Sequence, residues 1–336
     1  MNNTLSSKSK PELDILKFFA IILITNSHIS HLYPYHNMGT GGSLGNSIFF
    51  LVSAVGLTLS LKNKKIDFVS WFYKRATRTY LITWAATIIF LLIGYYTLKP
   101  NFADVFRLFI FPTGYWFIPA ITLFYIPTYF IITNYSLKVF IYTSVAVFLF
   151  YFGIYFTYMD VHKWSIESES FFKWIFYFEV MVIGIYVGNN YEQFAYKGRG
   201  DWVVFFLLTL FFFGFKLITL KFNAFMPLQF LLQIVTIPWV IYFMKIIRSY
   251  AVTEALNNWK YLSILIAFIS SITLEIYLLQ SFFYNLPIIK AMAFPFNILL
   301  FSILVTLGGW CLSKAFNADF LKRKKTDVIS YNKKQE

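Results

Sequence analysis

The sequence predicts an all-α protein, a polytopic bundle of about ten transmembrane helices with both termini in the cytoplasm. Of its 336 residues, 58% are hydrophobic and only 13% are charged, whereas a soluble domain carries about 25% charged residues. Apolar segments long enough to cross a bilayer recur along the whole chain. Lysine and arginine cluster in alternate connections between these segments, which predicts the orientation.

The predicted spans define one transmembrane domain over residues 13–314. It lies between a cytoplasmic N-terminal segment, 1–12, and a basic cytoplasmic tail, 315–336. A span needs about 20 apolar residues, and the segments that fit are 13–33, 44–61, 78–98, 116–134, 138–158, 171–188, 203–220, 226–247, 261–284 and 294–314. The segment 104–112 is too short to cross and is expected at the membrane interface. The first span lacks a small-residue cleavage site, which predicts a retained helix.

The basic residues that give the chain its net charge of +14 are distributed according to the predicted topology. In a soluble protein this charge would suggest nucleic acid, but here 22 of the 29 basic residues fall on the cytoplasmic side and 7 outside. The predicted partner is therefore the lipid bilayer, and no nucleic acid is expected. One cysteine, Cys311, and four histidines without a carboxylate cluster predict no disulfide within the chain and no metal site.

Lys17 and His28 are ionisable residues within the first predicted span. Burying such a residue in lipid costs roughly 2.5–3.5 kcal/mol on insertion scales, so it usually has a function. Eleven helical residues turn through about 1100°, which places both residues on one face, about 16 Å apart along the axis. His28 is predicted to be a general base, because imidazole can accept a proton from a hydroxyl near neutral pH. A structural histidine in the core is the alternative.

Neighbouring residues extend this prediction. Asp14 lies three residues before Lys17, a spacing that suits an ion pair, although Lys17 can also extend to the interface as an ordinary membrane lysine. His31, one turn beyond His28, is predicted to support the base or contact substrate.

Arg75 and Arg78 share one side of a helix, and their planar guanidinium groups suit phosphate oxygens. The alternative for this pair is the usual excess of basic residues on the cytoplasmic side.

Three further features carry predictions. Glu179 and Glu275 lie in later spans and need a partner or a proton; Glu275 is expected to orient a base or to pair with a basic residue on a neighbouring helix. Trp116 opens the fourth span, as part of an aromatic belt or as a wall of an outer active-site mouth. The glycine-rich loop 37–46 predicts tight turns and close backbone approach.

The order of these motifs resembles that of membrane acyltransferases of acyltransferase family 3, which move acyl groups from cytosolic acyl-CoA to sugars. The first helix of that family carries a basic residue, ten intervening residues and a histidine, as Lys17 and His28 do here. Its third helix begins with an Arg-x-x-Arg pair, here Arg75 and Arg78. The stretch 47–53, the opening at Trp116 and the stretch 277–280 are also similar. The family usually has arginine at the position of Lys17 and often histidine at the end of the late motif, where this chain has Gln280.

The resemblance implies an integral O-acyltransferase, in the first place an O-acetyltransferase, in the inner membrane of a bacterium. Arg75, Arg78 and Lys17 would hold the phosphates of acetyl-CoA, a co-substrate rather than a permanently bound cofactor. His28 would act as general base on a hydroxyl of an extracytoplasmic or lipid-linked polysaccharide, or carry the acyl group on its imidazole. Asp14, His31, Trp116 and Glu275 are the predicted supporting or substrate-binding residues.

Two other functions suit parts of the sequence. A transporter or flippase for lipid-linked saccharides would have the same polytopic architecture and intramembrane basic residues, although no inverted repeat is visible. A glycan polymerase or ligase is less well supported, because such proteins commonly use a large outer loop and all predicted outer loops here are short. Acyl transfer is the preferred function.

Overall fold

The protein is all-helical in the part of the chain that the structure describes. A computed structural model describes residues 10–62, 64, 66–168 and 170–332 and contains no strand within them. The helices are α1 Pro11–His28, α2 Gly42–Leu61, α3 Phe68–Leu92, α4 Phe102–Val105, α5 Phe117–Thr133, α6 Leu137–Tyr158, α7 Ser170–Asn189, α8 Arg199–Lys221, α9 Phe230–Ile247, α10 Tyr250–Asn258, α11 Lys260–Ser271, α12 Thr273–Tyr284, α13 Pro287–Ala291 and α14 Phe296–Asn332. Most of the predicted segment 1–12, up to residue 9, lies outside the described residues, as do the last four residues of the predicted tail.

Several of these helices are long and apolar enough to cross a membrane. Six qualify by length and composition, and up to eight if two interrupted pairs each count as one span. This supports a multi-pass membrane protein, while ten spans and cytoplasmic termini stay predictions. The predicted first span falls outside the six because α1 carries charged residues near its start, namely Glu12, Asp14 and Lys17.

The first predicted span is shorter than expected. It was predicted over residues 13–33, but α1 ends at His28 and two 3₁₀ turns follow. The Asn26 amide donates to the carbonyl oxygens of Met38 and Thr40, each at 2.9 Å, so the following loop folds back over the helix end. A Cβ on Gly39 would lie 2.4 Å from the Cα of Ser30, and only glycine permits this approach. His28 is therefore the last residue of α1.

The third predicted span is displaced along the chain. It was predicted over 78–98, but α3 runs from Phe68 to Leu92. Asp67 accepts a hydrogen bond from the backbone N–H of Ser70 at 2.8 Å and caps the new start. This hydrogen bond lowers the pKa of Asp67. Gly94, with φ of +73°, follows the helix end. Arg75 and Arg78 consequently lie inside α3 and not at its first residues.

The ninth predicted span, 261–284, is interrupted. Helices α11 and α12 are separated at Ile272, whose φ and ψ are −118° and 21°. The polar residues around this break, Ser270, Ser271 and Thr273, compete with the backbone for hydrogen bonds, as serine and threonine do at helix ends. The break places Glu275 in the first turn of α12, where the positive end of the helix dipole favours a carboxylate.

The chain forms two compact units. The first comprises Met1–Ile24, Gly41–Phe72 and Pro119–Ser270, and the second comprises Thr25–Thr40, Tyr73–Ile118 and Ser271–Glu336.

In the first unit, small residues bring helices together and polar side chains pair across helices. A Cβ on Gly184 of α7 would lie 2.7 Å from the Cβ of Ala54 in α2 and 2.9 Å from the carbonyl oxygen of Leu51. Such close contact is typical of helices packed in a membrane. Asp201 of α8 and Lys245 of α9 form a salt bridge that is about nine-tenths buried, which neutralises both charges.

In the second unit, α12 and α14 pack together through two adjacent glycines. A Cβ on Gly308 would lie 2.8 Å from the Phe283 ring, and one on Gly309 would lie 3.3 Å from the Ile276 side chain. This close approach brings the start of α12 next to α14, where Glu275 and Ser313 share a side-chain hydrogen bond.

Candidate active site

The candidate site lies in the second unit, at the end of α1. His28 is half-buried, and the C-terminal end of a helix carries a partial negative charge that stabilises positive charge on a nearby group. The imidazole ring lies with its centroid 6.5 Å from that of the Tyr277 ring, tilted by 45°. The imidazole thus lies beside both the negative end of the α1 dipole and the Tyr277 ring.

Tyr277 is the centre of the aromatic cluster beside His28. Its ring is buried, with its centroid 6.3 Å from that of Tyr115 and 5.8 Å from that of Phe117. A hydrogen bond joins its hydroxyl to the backbone of Phe117, the first residue of α5. Aromatic rings in such edge-to-face and tilted contacts exclude water and hold one another in place. His28 therefore faces a fixed, largely apolar surface.

A second group of tyrosines fastens this surface to the turn after α3. The Tyr96 hydroxyl donates to the Tyr115 hydroxyl at 3.3 Å. The Tyr95 hydroxyl donates to the carbonyl oxygen of Ser281 at 3.0 Å and accepts from the Asn285 amide at 3.3 Å. The two Tyr95 bonds tie the C-terminal end of α12 to the turn after α3, and the Tyr96 bond ties the same turn to Tyr115 of the aromatic cluster.

Gln280 adds an unused acceptor to the cluster. It lies three residues after Tyr277, on nearly the same face of α12, and only 2% of its surface is exposed. Among the atoms that the structure describes, its Oε1 has no hydrogen-bond partner. Buried acceptors of this kind are rare in folded proteins and call for an explanation. An incoming N–H or O–H group of a substrate would satisfy it.

Arg78 and Glu275 are two charged residues of the same unit. The Arg78 guanidinium acts electrostatically on the Glu275 carboxyl, which also bonds to Ser313. Glu275 is 5% exposed, whereas Arg78 is exposed. The sequence left open whether Glu275 orients a base or pairs with a basic residue, and both remain predictions. Arg75, one turn earlier on the same side of α3, is half-buried.

Other predicted residues are placed as follows. His31 contacts Tyr284 edge-on, with ring centroids 5.1 Å apart. Trp116 contacts the Phe117 ring at 6.2 Å and so adjoins the aromatic cluster. Lys17 belongs to the first unit, where it forms the predicted ion pair with Asp14 at 3.0 Å. The structure thus places His28, His31, Arg75, Arg78, Trp116 and Glu275 in one unit, and Lys17 and Asp14 in the other.

Sequence reasoning missed the tyrosines that support Tyr277. Tyr95 and Tyr96 carried no prediction from the sequence, whereas Tyr115 directly precedes Trp116 at the opening predicted to be an aromatic belt or a wall of an outer active-site mouth. The pair Tyr95–Tyr96 directly after Gly94 was an available signal, since a glycine that ends a helix often precedes residues that turn back onto it.

Comparison with known proteins gives one result that bears on this arrangement. Residues 10–314 match the model of a protein family described as an acyltransferase domain. No curated protein and no solved structure matches the chain.

Proposed function

Since this chain belongs to acyltransferase family 3 and is a membrane acyltransferase, we propose the following reaction. The protein transfers an acyl group, in the first place acetyl, from cytosolic acyl-CoA to a hydroxyl of an extracytoplasmic or lipid-linked surface polysaccharide. The observation that carries this proposal is that the His28 imidazole lies against the Tyr277 cluster. Both residues belong to the part of the chain that matches the family model.

In the proposed reaction, His28 takes the proton of the acceptor hydroxyl. The hydroxyl oxygen attacks the thioester carbonyl, forming the new C–O bond, and the C–S bond then breaks. The leaving CoA sulfur receives the proton from the imidazolium, which restores neutral His28. The negative end of α1 stabilises the imidazolium formed in between. Tyr277 positions the imidazole, and the rings around it keep water away from the thioester.

Arg75 and Arg78 are proposed to bind the phosphates of acyl-CoA. Their spacing presents two guanidinium forks on one side of α3, and each fork matches two phosphate oxygens. Glu275 limits the number of orientations of Arg78 and leaves the remaining donors available. Lys17, a lysine paired with Asp14, keeps its predicted role in phosphate binding. Acetyl-CoA enters as co-substrate, with no resident cofactor.

The proposed setting is the inner membrane of a bacterium, with both termini in the cytoplasm. The donor then reaches Arg75 and Arg78 from the cytosol, and the acceptor reaches His28 from the opposite side. This orientation is supported by the excess of basic residues on the predicted cytoplasmic side.

The direct test uses the purified protein in detergent or nanodiscs with isotope-labelled acetyl-CoA. We expect label in an ester of an added surface oligosaccharide, identified by its removal with mild base and by an acetyl-sized mass increase. Surface glycans from cells with and without the gene should differ by the same mass. If labelled acetyl-CoA is neither bound nor consumed, and the glycans do not differ, the proposal is wrong.

A flippase for lipid-linked saccharides is the second candidate, because the first unit has an open apolar cavity of about 1340 Å³. Its lining includes Phe150 and Ile154 of α6 and Phe178 of α7, with Asp160 and Lys163 at one end. Such a groove suits a long lipid chain with a polar head. Transfer of a fluorescent lipid-linked saccharide across liposomes without acyl-CoA would favour this function over acyl transfer.

A further inference from the structure

A separate pocket lies beside His31 in the second unit. Its volume is about 460 Å³, within the usual range for small-molecule sites. It is lined by residues that follow α1 and by residues from α13 to the start of α14, including His31, Tyr33, Lys290, Phe294 and Asn297. Only two residues of chain lie between His28 and His31, so the pocket adjoins the proposed base.

The walls of the pocket are held in place by hydrogen bonds. Asn297 is 4% exposed and donates from its amide to the carbonyl oxygen of Leu32 at 2.8 Å. The Tyr33 hydroxyl donates to the Asn26 side chain at 2.5 Å. These bonds join the segment after α1 to α14 and fix the Tyr33 ring. The pocket is thus preformed, which lowers the entropic penalty of binding.

One wall is aromatic. The Tyr33 and Phe294 rings lie with centroids 5.9 Å apart, and Phe294 is 43% exposed. Exposed rings at the rim of a preformed pocket provide a surface for the apolar face of a sugar ring, while polar groups fix its orientation. His31 supplies one such polar group, with two ring nitrogens able to donate or accept.

Lys290 is an exposed lysine that lines this pocket. Lys163 pairs with Asp160 at 2.9 Å, and Arg107 pairs with Asp104 at 3.4 Å. Within the part of the chain that the structure describes, no carboxylate lies within salt-bridge distance of the Lys290 ammonium, which lines the pocket. An ammonium beside a preformed aromatic pocket attracts an anion.

From these features we propose that the pocket binds an acidic sugar of the acceptor. Its ring would pack against Tyr33 and Phe294, and its carboxylate or phosphate would pair with Lys290. This inference rests on the proposed acyl transfer and names the class of acceptor, an anionic glycan. The shared chemistry is an anionic group on a sugar, supplied by a uronic acid or by a sugar phosphate.

Binding is tested first, without turnover. Purified protein is titrated with three oligosaccharides of equal length, one neutral, one containing a uronic acid and one carrying a phosphate. We expect an acidic ligand to bind at least about tenfold more tightly than the neutral one, because a hydrogen bond to a charged group contributes about 1.5–3 kcal/mol. Lys290→Gln should remove this preference and Lys290→Glu should reverse it. Lys99→Gln, which changes an exposed lysine that is not part of the pocket lining, is the matched control.

Kinetics then separate this inference from the proposed function. With acetyl-CoA present, Lys290→Glu should raise KM for the acidic acceptor about tenfold or more and leave KM for acetyl-CoA unchanged. Dependence of binding on Lys290 without any acetyl transfer would support the pocket and contradict the function. Acetyl transfer with equal use of all three acceptors by wild type and Lys290→Glu would contradict the pocket alone. The acidic ligand that responds to Lys290 identifies the source of the anion.

Discussion

Two carboxylates in predicted spans have different surroundings in the two units. In the first unit, Glu179 accepts a hydrogen bond from Ser144, and its Oε2 has no partner within the described chain. In the second unit, Glu275 bonds to Ser313 and lies in the field of Arg78. The local sequence does not distinguish the two carboxylates, since each is a single acidic residue in an apolar helix. Both acids bond to a serine hydroxyl of another helix, and Glu275 lies in addition in the field of a cation.

This difference bears on the proposed role of Glu275. A carboxyl bonded to a hydroxyl adds polar packing to the bundle, whereas one that also lies in the field of an arginine can orient a cation that binds substrate.

The largest effect is expected for His28→Ala. Removing a general base lowers the rate about 10²–10⁴-fold, so acetyl transfer should fall by at least about a hundredfold with little change in thermal stability. His162→Ala, which removes an exposed histidine of the first unit, should leave the rate unchanged. The measurement is turnover of labelled acetyl-CoA, with size-exclusion profiles as the folding control. Full activity of His28→Ala would show that His28 is not the general base.

The double variant Arg75→Ala with Arg78→Ala should raise KM for acetyl-CoA. Removing the charge-assisted bonds of the pair to phosphate should cost about 1.5–3 kcal/mol in total, which predicts about a tenfold to hundredfold weaker affinity. Lys74→Ala changes an exposed cation of the same helix and should have an effect below about twofold. Affinity is measured by displacement of a labelled CoA ester. Equal effects of the two changes would mean that the arginines serve only membrane orientation.

Glu275→Gln tests the comparison directly. We expect KM for acetyl-CoA to rise about fivefold, because the partly exposed pair with Arg78 contributes about 1 kcal/mol. Glu179→Gln keeps the bond from Ser144 and should change KM by less than about twofold. A double-mutant cycle of Glu275→Gln with Arg78→Gln should give a coupling energy near 1 kcal/mol. Additive effects would show that the two residues act separately.

The smallest effects are on stability. Gly184→Ala should destabilise the first unit by about 1–3 kcal/mol, because the new methyl group meets a backbone oxygen and a fixed Ala54. Gly308→Ala in the second unit should be milder, since the Phe283 ring can rotate away. Gly153→Ala, with no atom within 4 Å of the new Cβ, should stabilise by about 0.5–1 kcal/mol. Thermal unfolding in detergent ranks the three, and the reverse order would contradict the packing argument.

The features that could be predicted from the sequence are those that local patterns of residues determine. Apolar segments indicated the helical membrane class, and the three-residue spacing indicated the ion pair of Asp14 and Lys17. The end of α1 was misplaced because it is set by Asn26 bonding to residues a dozen positions later. The helix break at Ile272 was missed because the mean hydropathy of a whole span conceals a short run of polar residues. Lys290 was missed as a partner of His31, since only the folded chain brings α13 to the end of α1.

The loop folded over the end of α1 has a consequence for how this protein can diversify. His28 is the terminal residue of a helix, while the pocket beside it is built from short connections joined by the Asn297 bond to Leu32. Side chains in those connections can be exchanged without altering the helix that presents the imidazole. Under the proposed function, new acceptor preferences can therefore arise by a few loop substitutions, and the same property offers a route to change the acceptor by design.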